Sequence, residues 1–432
     1  MMALFERGSV NLARTLSSLR HRDFRLLFVG TSLSHVGDFI QVMAQSWLVW
    51  TMTSSPFLLG VVGFCQAVPR LLLGAIGGAI VDRMEPRRLL VSTQILAMLQ
   101  AFVFWALVYF QSIQFWHIIT LVLFLGTVNS INQTARYSLI NNLVPRDDLM
   151  NAIALNSSVS NLAKILGPSL GGVLISIIGV AGCLFVNALS FLAIIGTLVI
   201  MKFPSLSSKT GEEAPFWEEV LEGYHFLRGQ RRLFSIILLS YGVALLGAPY
   251  SRFLPVFATD VLHAGASTFG LLLAAPGIGA VVAGLGIASL VKLRRRQHFV
   301  AMSVYAFSLS LIVFSFCRSL PFSMLLLILV GASNIAIRAV ANSIIQLDTP
   351  PHLLGRILSL FFMDKGLWSF GTLFIGSVAH FVGTPNAIAI SGVSCALAAS
   401  VFLYQLRQAR RNQPAGAVNQ GVSAPWLRRP LD

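Results

Sequence analysis

Seven ionisable side chains stand inside stretches otherwise apolar enough to leave water: Asp38, Arg70, Lys164, Arg252, Arg338, Asp364 and Lys365. A carboxylate in such surroundings can take up and release a proton, because desolvation disfavours its charged form. Asp38 and Asp364 are therefore the candidate proton-coupling groups. Five cations against two acids leave an excess of three positive charges, which favours an anionic or catechol-like small molecule as ligand. Arg136 is set apart from these as lying nearer one end of its segment.

Asp38 interrupts the apolar run 24–53 about fourteen residues in, roughly 21 Å along a helix. Ser34, Asp38, Gln41 and Gln45 recur at helical spacing and share one face, while Leu27, Val29, Phe39, Val42 and Leu48 occupy the other. A stripe of this kind either joins helices or walls a polar pathway, and the pathway is the expectation carried forward. His35, one turn from Asp38, reads as a packing histidine, though within reach of its proton. Similar stripes are Gln66–Arg70, Asn156–Ser160–Lys164 and Asn334–Arg338–Asn342. Arg252 lies between Pro249 and Pro255, which free nearby backbone carbonyls. Asp364 and Lys365 point about 100° apart on a helix, so one is expected to pair with a neighbouring helix while the other faces a cavity.

The elements that must position these groups are membrane spans. The chain has 432 residues, of which 56% are hydrophobic and 11% charged. Soluble domains carry about 25% charged residues. Twelve apolar segments can be drawn, near 24–53, 57–82, 88–110, 116–143, 149–178, 181–201, 233–262, 267–292, 298–317, 321–347, 353–382 and 385–406. The predicted fold is all-α: two six-helix halves, 24–201 and 233–408. A basic N-terminal arm (1–23), a linker (202–232) and a tail (409–432) flank them. Phe216, Val220, Tyr224 and Leu227 fall on one face in the linker and predict a short surface helix. With both termini on one side, that side collects 24 Lys and Arg against Arg318 alone opposite. By the positive-inside rule the termini are expected in the cytoplasm.

The halves repeat. A shift of 205 superposes Gly126, Asn129, Pro145, Leu149 and Gly171 on Gly331, Asn334, Pro350, Leu354 and Gly376, and a shift of 210 lays Gly60 and Gly74 on Gly270 and Gly284. Parallel repeats of this kind put a substrate site at their interface, near mid-membrane.

Two motifs carry a family resemblance. GAIVDRMEPRR at 78–88 resembles the cytoplasmic loop signature of the major facilitator superfamily, with Glu85–Pro86 as a departure. Gly78 allows close helix approach. Asp82 accepts hydrogen bonds, and Arg83, Arg87 and Arg88 are expected to clamp carboxylates as a cytoplasmic gate. LGPSLGG at 166–172 is similar to the antiporter motif of that superfamily's exporters: Pro168 bends the helix, and Gly167, Gly171 and Gly172 permit tight packing.

Longer runs, FRLLFVGTSLSHVGDFIQVMAQSWLV among them, resemble the enterobactin-exporter branch over about residues 20–408. That branch more often has proline before the fourth-helix arginine, where Thr134 precedes Ala135–Arg136 here. The resemblance implies proton-driven export to the periplasm across a bacterial inner membrane.

No nucleotide, hydrolase or metal signature appears, so neither an enzyme nor a cofactor is expected. The expected partners are a small-molecule substrate, protons and lipids, without nucleic acid, with the chain acting as a monomer. The rival readings are uptake, lipid flipping, or a non-transporting membrane sensor. Cys65, Cys183, Cys317 and Cys395 read as isolated buried residues. Trp47, Trp50, Trp105 and Trp116 read as interface anchors.

Overall fold

The computed structural model describes residues 17–83, 85–201, 225–289, 296–350 and 353–411. After a 3₁₀ turn at Ser17–Arg20 come α1 (Arg22–Thr53), α2 (Pro56–Arg83), α3 (Pro86–Tyr109), α4 (Phe115–Leu143) and α5 (Arg146–Ile200). Gly179 breaks α5 with φ of 70°, a backbone conformation glycine adopts at little cost. The expected boundary between segments 149–178 and 181–201 falls there.

The later helices are α6 (Arg231–Gly242), α7 (Leu254–Val256), α8 (Ala266–Ser289), α9 (Arg296–Ser315), α10 (Leu320–Asp348), α11 (Leu354–Phe362), α12 (Asp364–Val382) and α13 (Thr384–Arg411). Around α7 the chain passes through π turns at Val243–Gly247 and Phe257–Val261 and a 3₁₀ stretch at Ala248–Phe253. Pro249 and Pro255 lack the N–H that a regular helix needs there.

Among the described residues, nine helices are long and apolar enough to cross a membrane, and a shorter apolar stretch, Pro56–Pro69, opens α2. Twelve spans were expected; the nine count α5 once, although Gly179 divides it. The expected linker helix lies largely on 202–224, outside the described residues, as does the tail beyond Arg411.

The chain forms two compact units. The first holds α1, the later part of α2, α3 to α5 and residues 265–274; the second holds residues 53–64, α6, α7, the rest of α8 and α9 to α13. The halves drawn from sequence differ from these units by two exchanged segments, 53–64 and 265–274.

Glycines seat both segments. In the first unit, a Cβ on Gly172 would stand 3.1 Å from Gly270 Cα, and one on Gly270 would stand 2.5 Å from the Pro168 carbonyl. In the second unit, a Cβ on Gly60 would stand 3.2 Å from Gly376 Cα. Without side chains between them the backbones touch, and van der Waals packing rather than burial from water holds helices together in lipid. The core of the first unit includes Phe24, Leu27, Leu90, Ala101, Leu139 and Phe191.

Candidate functional site

The polar stripe of α1 divides. Ser34, Gln41 and Gln45 are buried within the first unit, whereas the Asp38 side chain is 37% exposed. Gln41 donates from Nε2 to Gln100 Oε1 on α3 (3.3 Å) and accepts from Asn187 Nδ2 on α5 (2.7 Å). Gln100 in turn donates to the Leu121 carbonyl on α4 (3.4 Å). Four helices are thus tied by one amide network, and an amide removed from water needs such partners. For Gln41 the helix-joining role is what the contacts describe. The close approach is possible because Gly37 faces α5, where a Cβ would meet Asn187 Oδ1 at 2.4 Å.

Around Asp38 a second chain of polar groups runs to α4. His35 Nδ1 lies 3.8 Å from Asp38 Oδ2. Arg136 Nη1 donates to His35 Nε2 at 2.8 Å, and Arg136 Nη2 donates to Asn132 Oδ1 at 2.9 Å. Asn132 Nδ2 then donates to Thr93 Oγ1 on α3 at 2.8 Å. Two sequence expectations change here. Arg136, set apart from the central charges, is joined to them through His35, and His35 is an intermediary between charges rather than a packing residue. The spacing of four between Asn132 and Arg136 puts both on one face of α4 and was the available signal.

On α5, Asn156 and Ser160 are half-buried and Lys164 is exposed within the unit, its Nζ donating to Asn161 Oδ1 at 3.2 Å. Gln66 on α2 is half-buried; the side chains of Arg70 and Lys365 lie outside the described residues.

In the second unit, Arg338 of α10 donates from both terminal nitrogens to Asp364 Oδ2 of α12, with Nη1 at 2.9 Å. Asp364 thus meets a neighbouring helix, and its side chain is 4% exposed. Tyr241 of α6 donates its hydroxyl to the Leu360 carbonyl close by. Asn334 and Asn342 are half-buried on the face of Arg338, with Gln346 donating to Asn342 Oδ1 at 3.3 Å. Arg252 is buried in the 3₁₀ stretch, its guanidinium 5.1 Å from the Trp368 ring centre, a cation–π distance. Of the cations read from the sequence, Arg338 is the one that Asp364 neutralises.

At the loop motif, Arg88 pairs with Glu85 (2.9 Å), the departure from the family pattern, and Arg87 donates to the Val199 carbonyl near the end of α5 (2.9 Å). Arg88 thus forms a local pair within the loop, and Arg87 reaches the end of a neighbouring helix. Gly78 and the side chains of Asp82 and Arg83 lie outside what is described. On the near side of α5, His21 and Ser17 hold Asp148 at 2.8 and 2.6 Å and Ser18 bonds Asn151, so the turn before α1 is docked on α5.

In the antiporter motif, Gly167 and Gly171 face α1, where a Cβ would meet Phe39 Cβ at 2.4 Å and Met43 Sδ at 2.9 Å. Pro168 lies inside α5. The four cysteines are unpaired, three of them buried. Trp50 is buried, Trp47 stacks on Phe269 with centroids 6.0 Å apart, and Trp116 is exposed. Among the described residues, no three metal-ligating side chains cluster.

Apolar helices of spanning length, glycine-seated crossings and charged groups held inside the helix bundles describe a multi-pass membrane protein. The chain belongs to the major facilitator superfamily of transporters, matching its "Transmembrane secretion effector" family over residues 13–431. This is a family of transporters rather than enzymes.

The staphyloferrin A transporter of Staphylococcus aureus (strain NCTC 8325 / PS 47) is 23% identical over 402 residues, 92% of this chain and 100% of that protein. The multidrug efflux pump Tap of Mycolicibacterium fortuitum is 24% identical over 345 residues, 78% of this chain and 83% of the pump. In fold, the chain resembles a bacterial homologue of the human lysosomal transporter Spinster in its inward-facing, unoccupied conformation. The TM-score is 0.72 at 13% identity, covering 92% of this chain and 99% of the other.

Proposed function

We propose that this chain is a proton-coupled exporter that moves a siderophore, another small amphipathic or anionic molecule, or a drug from cytoplasm to periplasm. The observation that carries the reading is Asp38: a carboxylate in the middle of an apolar helix, partly exposed and linked through His35 to Arg136. Ionisable groups are expensive at membrane depth and are kept where they bind or relay charge.

The siderophore and drug classes follow from the exporter resemblance read in the sequence, and the relatives support them, one a staphyloferrin A transporter and one a multidrug efflux pump. The distribution of Lys and Arg, 24 to one, supports cytoplasmic termini in a bacterial inner membrane. In this reading twelve helices form two six-helix halves in a monomer. The pathway draws on Asp38, Gln66, Arg70, Asn156, Ser160, Lys164, Asn334, Arg338, Asn342 and Lys365. Lys164 is the cation best suited to an anionic substrate. Asp82 with Arg83 forms the cytoplasmic gate.

The test uses everted membrane vesicles, whose lumen corresponds to the periplasm, with an acid interior imposed. Uptake of a fluorescent drug or a siderophore into the lumen, abolished by a protonophore, is the expected result. Movement in the opposite direction would replace export by uptake, and no gradient-driven movement would overturn proton coupling.

A further inference from the structure

The contact between Arg136 and His35 fixes which of them carries the exchangeable proton. A guanidinium has donors and no acceptor and stays protonated in proteins. With Arg136 Nη1 at 2.8 Å, His35 Nε2 must therefore be the acceptor, so this geometry belongs to a neutral ring with its proton on Nδ1. Nδ1 is also the ring atom 3.8 Å from Asp38 Oδ2. A proton arriving from water can bind only at Nε2, on the lone pair that Arg136 now occupies. Once bound, it sets an imidazolium N–H against a guanidinium N–H, with no acceptor between two like charges. The same charge strengthens attraction to Asp38 on the other side of the ring.

We propose that His35 is a protonation switch. In its neutral form it holds α1 to Arg136 on α4; protonated, it releases Arg136 and pairs with Asp38. This rests on the reading of the chain as a proton-coupled transporter and names a proton-carrying residue within it. The step balances simply: one proton is taken from water onto Nε2 and later returned to water when Arg136 re-forms its bond.

The surroundings place one acid and one base directly on the ring. Asp38 is on its own helix and Arg136 faces it from α4. Around the site, α3 contributes neutral Thr93, bonded to Asn132, and the far segment of α5 contributes neutral Asn187 and Ser190 beside Gly37. Lys164, on the near segment of α5, has its ammonium on Asn161. The side chains of Arg70 and Tyr137 lie outside the described residues. Releasing Arg136 also loosens its partner Asn132 and, through it, Thr93, so the disturbance spreads across α4 and α3.

The test is hydrogen exchange of the purified full chain at pH values spanning imidazole protonation, about 5 to 8, corrected for intrinsic rates. Peptides within α1 and α4 should exchange at least about threefold faster at the acid end, as local opening raises exchange. H35Q keeps an acceptor for Arg136 but cannot be protonated, and it should lose that pH response. An unchanged response in H35Q would overturn the switch. Should H35Q fail to fold, R136Q carries the test: with no guanidinium to displace, α4 should lose its response, and a full response would overturn the proposal.

Vesicle efflux separates this from the reading beneath it. Gradient-driven efflux by H35Q at the wild-type rate would overturn the switch while leaving export standing. A His35-dependent exchange response in a wild type without gradient-driven efflux would support the switch and overturn proton-coupled export.

Discussion

Breaking the ion pair between Arg338 and Asp364 should cost unequal amounts from its two ends. The Asp364 side chain is 4% exposed and the Arg338 side chain 37%. Arg338→Leu leaves a nearly buried carboxylate without its guanidinium, and removing one partner of a buried pair costs about 3–5 kcal/mol. Asp364→Leu leaves a guanidinium already more than one-third exposed, which can turn to water. Its loss is discounted to about 1–2 kcal/mol by solvent screening.

The double variant strands no charge and should fall near the wild type, which makes the coupling energy close to the sum of the two single losses, about 4–7 kcal/mol. Detergent-titrated unfolding in mixed micelles, followed by far-UV circular dichroism, measures all four proteins in one cycle. Equal or inverted single costs, or a double variant as unstable as the summed singles, would refute the assignment of Asp364 as the desolvated partner.

Two further predictions address the helix crossings and the orientation. Gly270→Leu drives a side chain into the Pro168 carbonyl and Gly172, which lie within 3.0 Å of a Cβ, and should destabilise the fold by about 1–3 kcal/mol in the same assay. Gly284→Leu, with nothing within 4 Å of its Cβ, should be close to neutral, and equal effects would contradict the packing account. Reporter fusions at Thr53, Gln111 and Pro385 should report the periplasm and those at Pro86 and Gly211 the cytoplasm; reversal at two sites would sink the orientation.

Much of the architecture is legible in the chain because lipid leaves few options, and long apolar runs become helices. The break at Gly179 and the irregular backbone around Pro249 and Pro255 follow from residue types whose backbones are special. Exchange of residues 53–64 and 265–274 between the two units is not legible, since it depends on which glycine meets which. The repeat does point to the residues involved, as Gly60 maps on Gly270 and Gly171 on Gly376.

The charged groups were harder to read. Spacing put Ser34, Asp38, Gln41 and Gln45 on one face, but a face has two edges. Partners from other helices, Gln100 and Asn187, decide that Gln41 is joined inside the bundle. His35 and Arg136 are 101 positions apart. Their contact depends on how α1 packs against α4, which local pattern does not encode. The rule that adjacent residues diverge on a helix sends one of Asp364 and Lys365 toward a neighbouring helix, but it does not name Arg338 as the partner.

The measurement closest to the central claim is drug or siderophore movement into everted vesicles under an imposed pH gradient, comparing wild type, Asp38→Asn and Asp364→Asn. Asp38→Asn keeps the shape of the side chain and cannot cycle a proton, so it should fold, lose gradient-driven transport and retain downhill flux. Asp364→Asn, whose parent is held by Arg338, should transport at a rate nearer the wild type. Full gradient-driven transport by Asp38→Asn would contradict the account and remove that carboxylate from the coupling mechanism.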